Sequence, residues 1–482
     1  MRVQLQSAEG PESHWPSLLA PALIIALIAT LLVALPYLSP VALLLMVEFA
    51  VLLGAFCFYD PLLYLMIFFL PLAPLVQVGD FPVHDLASLT RVVMFAGVMA
   101  RKTLEPEPLW SWLGSGLAQK LTLAYCGIAV VSAAVANPIE AGAGRALFRL
   151  ASYVAVFFIV TAWVRSGEQL KRITGILFAS TIVACLVGFW QAANGDFGDW
   201  WRALYVDQEP VWAPWVGRIN SVFLNTNPFA GYLNLLLPLF LAVEYSPSFT
   251  ARFRVAARIS FFIGTVALVL VQSRGAFLGF ALMVFLFVRY FIKAKADRKR
   301  FFLDLSCAVA IGSVISWMAT QAALSGEAER LTSIDESTLI RLLIYSSAWK
   351  MFLSAPVLGI GYGNFRSHLT PLMGGNVSDV WDTHSLYLKL LSETGIAGFL
   401  CFMALVVVLI RRARDSWKAN ATGVEAVFAA GFLGAITTVL AHGLVEVNNE
   451  VPQFGAMLWL TFGLYLAATR LGGARKSPDQ TT

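Results

Sequence analysis

Apolar runs of about 17–25 residues recur along this chain, the length an α-helix needs to cross a hydrocarbon core about 30 Å thick. Candidate spans fall at 17–36, 40–57, 61–77, 85–100, 118–136, 146–164, 170–193, 228–245, 255–271, 275–293, 302–321, 386–411, 423–444 and 452–470. The early ones are short, and counting some as half-spans gives twelve in place of fourteen. A backbone in lipid must satisfy its own hydrogen bonds, so helices are the expected form. No period-2 alternation argues for a barrel. Of the 482 residues, 58% are hydrophobic and 13% charged, and mean hydropathy is +0.73. The expectation is an all-α polytopic membrane protein whose residues 1–482 form one integral membrane domain. The run at 21–35 lacks a small-x-small cleavage site and reads as a retained helix.

Loop charge sets the expected orientation. Arg165/Lys171/Arg172, Arg252/Arg254/Arg258, the stretch 293–300 and Arg411/Arg412/Arg414/Lys418 occupy every second connection, which makes those connections cytoplasmic. The net charge of +5 has its source there and does not argue for nucleic acid. Both termini then come out cytoplasmic. The outer connections include a first long loop, 194–227, and a large one, 322–385, with the short turns 272–275 and 445–451. Within the large loop, Leu339, Leu342, Leu343, Ser346, Trp349, Phe352 and Leu353 recur at helical spacing, which predicts an amphipathic helix over 337–352 lying on the outer face. Five cysteines, Cys57, Cys126, Cys185, Cys307 and Cys401, lie in apolar runs with no metal spacing and read as small core residues.

Polar interest concentrates at the outer rim. His384 stands where the large loop meets an apolar run, and an imidazole exchanges a proton near neutral pH. Arg218 leads a polar stretch straight into a span, Arg274 occupies a four-residue turn between spans, and Arg341 lies early in the amphipathic helix. Arginines so placed suit a phosphate or diphosphate through bidentate charge-assisted hydrogen bonds. They equally suit snorkelling to lipid headgroups, and a lone histidine at a helix start equally suits a cap-region role. His442 and His84 read as structural, with Glu446 four residues after His442 as a possible partner. Trp200, Trp201, Trp212 and Trp215 crowd the first outer loop, as interfacial anchors or as a sugar-stacking platform. The outer acids Asp196, Asp199, Asp207, Glu209, Glu327, Glu329, Asp335, Glu336, Asp379 and Asp382 are scattered, with no Asp-x-Asp, and no metal or cofactor motif is present.

Four stretches carry a resemblance. His384-Ser385, nine residues, then Gly395-Ile396-Ala397-Gly398 resembles the histidine motif of bacterial O-antigen ligases. The stretches 218–233, 272–276 and 341–365 resemble the wider O-antigen ligase/polymerase superfamily, and together the four cover roughly 215–470 in that family's order. Ser385 replaces an asparagine common in the superfamily and stays within the ligase pattern. The resemblance implies a GT-C-type glycosyltransferase of the bacterial inner membrane with a periplasmic active site, taking part in lipopolysaccharide biosynthesis without a cofactor. The donor it implies is a glycan on undecaprenyl diphosphate. For a ligase, the acceptor is a sugar hydroxyl of lipid A-core.

In that frame Arg218, Arg274 and Arg341 neutralise the donor diphosphate, with no metal. His384 takes the acceptor's proton, worth roughly 10²–10⁴ in rate. Direct displacement inverts the anomeric centre, and no paired carboxylates stand ready for a covalent intermediate. Gly395 and Gly398 are expected to let helices pack closely behind His384. A polymerase or a protein O-oligosaccharyltransferase of the same superfamily fits the same residues and differs only in acceptor. A transporter or flippase requires ionisable groups deep in the spans, where few occur.

Overall fold

A computed structural model describes residues 40–57, 59–72, 77–78, 81–104, 116–136, 141–194, 217–223, 225–324, 334–372, 382–419, 423–449 and 451–474. The expected span at 17–36, the four loop tryptophans and most of the loop 194–227 lie outside these residues. The described chain is helical apart from a ribbon of two residues a side, Gln77–Val78 against Phe81–Pro82. The helices are α1 Pro40–Cys57, α2 Tyr59–Phe69, α3 Val83–Lys102, α4 Leu117–Val135, α5 Ala141–Trp163, α6 Gly167–Asn194, α7 Thr226–Glu244, α8 Ala251–Val271, α9 Arg274–Leu286, α10 Lys295–Leu324, α11 Ile334–Ser354, α12 Phe365–Leu372, α13 Leu386–Ala419, α14 Val424–His442 and α15 Pro452–Ala474. A π-turn, Phe287–Phe291, extends α9.

Ten of these helices are long and apolar enough to span a membrane: α4 to α10 and α13 to α15, α9 with its π extension. The protein is an all-α polytopic membrane protein. Expected spans 40–57 and 61–77 correspond to shorter apolar stretches within the described residues, Glu48–Cys57 and Asp60–Phe69. The expected span 85–100 corresponds to α3, whose polar residues keep it outside those ten.

The core is built around α7, which is buried along nearly its whole length and packs against α8, α9 and α14. Small residues on α14 permit this: a Cβ at Gly434 would meet Pro238 of α7, and one at Gly431 would meet Leu239. Helix α15 packs on α5, and α13 packs on α4 and α14. Charged side chains hold the end where α7 stops and α8 starts. There Arg258 grips Asp304 through two bonds of 2.7 Å, and Arg300 lies 3.6 Å from the buried Glu244. The opposite end gathers the connections at 217–223, 272–273, 382–385 and 443–449.

Helix α13 is broken at Gly395, where φ is 62° and ψ −167°. Gly395 therefore does not serve the close helix packing expected of it. It turns the chain so that the loop after α11 can enter the break. Ile360 and Gly361 donate their N–H groups to the freed carbonyls of Ser392 and Glu393, at 2.8 and 3.2 Å. Ile396 and Ala397 donate to Pro356 and Val357, at 2.8 and 3.2 Å. A broken helix at membrane depth survives only when neighbouring backbone satisfies it in this way. A Cβ at Gly398 would first meet Thr394 of its own helix.

In α11 the packed face is Ile344, Ala348 and Met351, which form a small core with Ile360, Phe365 and Leu369. Leu342, Leu343, Trp349 and Leu353 are exposed. Both faces of this helix are thus apolar, and the regularly spaced stripe of the sequence points away from the protein.

Candidate active site

Helix α8 ends at Val271, with Gln272 in the left-handed region at φ 55°. That leaves the last carbonyls of α8 without helical partners. Arg218 satisfies two of them: its Nε donates to Val271 O at 3.0 Å and an NH2 proton to Gln272 O at 3.1 Å. The same nitrogen reaches Thr226 Oγ1 at the start of α7, also at 3.1 Å. Arg218 is therefore a clamp between two helix ends as well as a charge. Its segment is fixed from behind by Gln191 of α6, whose amide accepts from Ser221 N at 2.8 Å and donates to Ser221 O at 2.8 Å.

Asn225 caps α7, its side chain accepting from Asn227 N. The Asn227 side chain then donates to Glu446 Oε2. Glu446 sits in the short connection between α14 and α15, nearly buried, and it is the centre of the site. His384 Nδ1 lies 3.2 Å from Glu446 Oε1, and an Arg341 nitrogen lies 4.0 Å from Oε2. Burial pushes the Glu446 carboxyl up, but the His384 hydrogen bond and the charges of His384, His442 and Arg341 outweigh it, and the net shift is downward. The Arg218 guanidinium is shifted down by burial first, then by repulsion from Arg274 and Arg341, with Glu446 opposing. Arg218, Arg274 and Arg341 thus feel one another across this end of the bundle.

His384 has φ 48°, a left-handed conformation that is uncommon outside glycine. The turn is held on both sides. Thr383 Oγ1 donates to Ser385 O at 2.9 Å, Tyr345 of α11 donates its hydroxyl to His384 O at 3.1 Å, and Leu386 N bonds Gly443 O at 2.8 Å. An ionised carboxylate only accepts, so His384 presents Nδ1–H to Glu446. In a neutral ring that tautomer leaves the lone pair on Nε2.

All four residues expected from the sequence, Arg218, Arg274, Arg341 and His384, are brought to one end of the bundle. Lys350 and Arg366 are exposed on the helices beside it. His442 is buried, but its direct partners are Asn448, 3.2 Å from Nδ1, and Ser273, 3.5 Å from Nε2. The expected pairing of His442 with Glu446 is replaced by the direct pair of Glu446 with His384. Glu446 itself was absent from the expected site. Its signal was available: it is an acid in a short connection between two apolar spans, the context that singled out Arg274. A cavity extends inward from Glu446, lined by His442, Asn448, Asn234, Tyr153 and Trp459 among others.

Residues 259–403 match the family described as O-antigen ligase, in agreement with membership of the O-antigen ligase superfamily. The matched stretch contains Arg274, Arg341 and His384; Arg218 and Glu446 lie on either side of it. No curated protein matches the chain.

Proposed function

We propose that this member of the O-antigen ligase superfamily transfers a glycan from undecaprenyl diphosphate to a sugar hydroxyl of lipid A-core. It does so as an inverting, metal-independent GT-C-type glycosyltransferase of the bacterial inner membrane. The reaction takes place on the periplasmic side, with both termini cytoplasmic and with 194–227 and 322–385 as the periplasmic loops. The observation that carries the reading is the His384–Glu446 pair set among three arginines.

The chemistry follows from the charges. Three guanidiniums against one carboxylate leave two positive charges, which match the two negative charges of a diphosphate esterified at both ends. Arg274, the exposed one, meets the diphosphate first, and Arg218 and Arg341 deepen the positive field behind it. The leaving diphosphate then departs without needing a proton. The acceptor hydroxyl is the poor nucleophile, and His384 Nε2 takes its proton as the C–O bond forms. Glu446 stabilises the resulting imidazolium and holds the ring in the productive tautomer, the role of the carboxylate in a Ser-His-Asp triad.

His384→Ala in the chromosomal gene tests this. The expected result is unmodified lipid A-core with lipid-linked glycan retained and protein level unchanged. Normal surface polysaccharide would sink the mechanism. A polysaccharide ladder from the same strain separates the rival acceptor: core bearing single repeat units points to a polymerase.

A further inference from the structure

Lys389 is a buried cation on α13 that the proposed chemistry does not use. Its Nζ lies 3.2 Å from Asp382 Oδ1 and 3.2 Å from Glu393 Oε1, and all three side chains are largely buried. A charge withdrawn from water at this depth is tolerated only when paired, and removing one partner costs several kcal/mol. Each carboxylate has a second task. Asp382 Oδ1 also accepts from Thr383 N at 2.6 Å, which starts the left-handed turn that carries His384. Glu393 Oε1 also accepts from Phe365 N at 3.1 Å, at the start of α12. The Glu393 carbonyl takes Ser132 Oγ at 2.6 Å and Gly361 N at 3.2 Å inside the break of α13. Lys389 N itself bonds Ser385 O at 2.9 Å. One ammonium group therefore joins the strained turn at His384 to the rigid seam where the loop enters the broken helix.

We propose that Lys389 is a positioning residue for His384, holding its turn through Asp382 against the break in α13 so that the imidazole meets both Glu446 and the acceptor hydroxyl. The proposal rests on the assignment of His384 as the base. A base displaced by about 1 Å costs on the order of 100-fold in rate while ground-state binding by the arginines persists.

The test is a double-mutant cycle on the purified full-length protein, reading initial rates of glycan transfer, donor KM and thermal midpoint. Lys389→Met is expected to lower kcat about 10- to 100-fold with donor KM changed less than about 2-fold. Lys389→Arg, which keeps the charge, is expected to recover most of the rate. In a His384→Ala background Lys389→Met is expected to add no further loss, although it lowers the thermal midpoint as it does in the wild type. Where Lys389→Met does not fold, Asp382→Asn takes its place with the same expected pattern. An additive loss in the His384→Ala background, or an unchanged kcat in Lys389→Met, would overturn the positioning role while leaving the base assignment intact. A wild-type rate in His384→Ala alone would overturn both.

Discussion

Replacing Glu446 by Gln isolates what the carboxylate does, because the amide keeps the shape and one acceptor oxygen. The carboxylate lies 3.2 Å from His384 Nδ1. At an effective dielectric of about 20, two unit charges at that distance attract by ~5 kcal/mol. This attraction is absent while the imidazole is neutral and develops as it takes the acceptor's proton, so it acts on the transition state. Arg341 and His442 also draw on the same carboxylate, and His384 is 28% exposed, so the attraction is partly shared and screened. A loss of about 2–4 kcal/mol remains, or roughly 30- to 1,000-fold in kcat. Donor KM should stay level or fall, since the variant leaves three arginines with no opposing carboxylate. Initial rates against lipid diphosphate-linked glycan, with purified protein in lipid nanodiscs, separate the two parameters. A kcat within about 3-fold of wild type would refute the assignment of Glu446 as partner of the base. So would a raised donor KM with kcat intact, which would move Glu446 from the reaction to binding.

Three other outcomes follow from named contacts. Arg274→Lys keeps the charge and loses the two-pronged geometry, and donor KM should rise about 10-fold or more; a wild-type KM would remove bidentate phosphate recognition from that position. Gly395→Ala should destabilise by more than about 3 kcal/mol, since φ 62° with ψ −167° is a glycine-only conformation and the new Cβ would stand 2.3 Å from Val357 O; an unchanged unfolding midpoint in detergent would contradict the break in α13. The Glu446 carboxyl is shifted down in the folded protein, so its contribution to stability is complete above the ordinary carboxylate range and is lost as pH falls through the lowered value. Unfolding midpoints between pH 7 and pH 3 should therefore fall less steeply in Glu446→Gln than in wild type.

The spans were legible because hydropathy depends on local composition alone. Helices α4 to α10 and α13 to α15 lie where the apolar runs predicted them. Arg218, Arg274, Arg341 and His384 were legible as polar groups in connections that charge placed on one side. What joins them was not, because Glu446 reaches back 62 positions to His384 and 219 to Asn227. Nor does a sequence show that Arg218 spends its hydrogen bonds on Val271 and Gln272. Gly395 was misread for a physical reason: spaced glycines signal close helix packing and helix breaks alike, and only the dihedral separates them. The stripe on α11 shows the same limit. Helical spacing locates a face, but both faces of α11 are apolar, and the neighbours at Phe365 and Leu369 decided which one packed.

Backbone strain marks the site independently of charge. Among the described residues, the non-glycine positions with positive φ are Ser221, Gln272 and His384, on three separate segments that meet at the same end of the bundle. A left-handed residue with a side chain costs about 1–2 kcal/mol, so each must be held by its surroundings. Ser221 is held by Gln191 and by its own hydroxyl, which donates to Ala184 O at 2.6 Å. Gln272 is held by Ser316 of α10, at 2.6 Å from its amide. These two turns build the frame around Arg218: one fixes the segment that bears it, and the other supplies a carbonyl it binds. The third carries His384. The turn spends backbone energy to place the ring across the gap to the α14–α15 connection, and Thr383, Tyr345 and Leu386 hold it there. The strain thus falls on the residue whose direction the proposed chemistry depends on and on the two turns that seat Arg218.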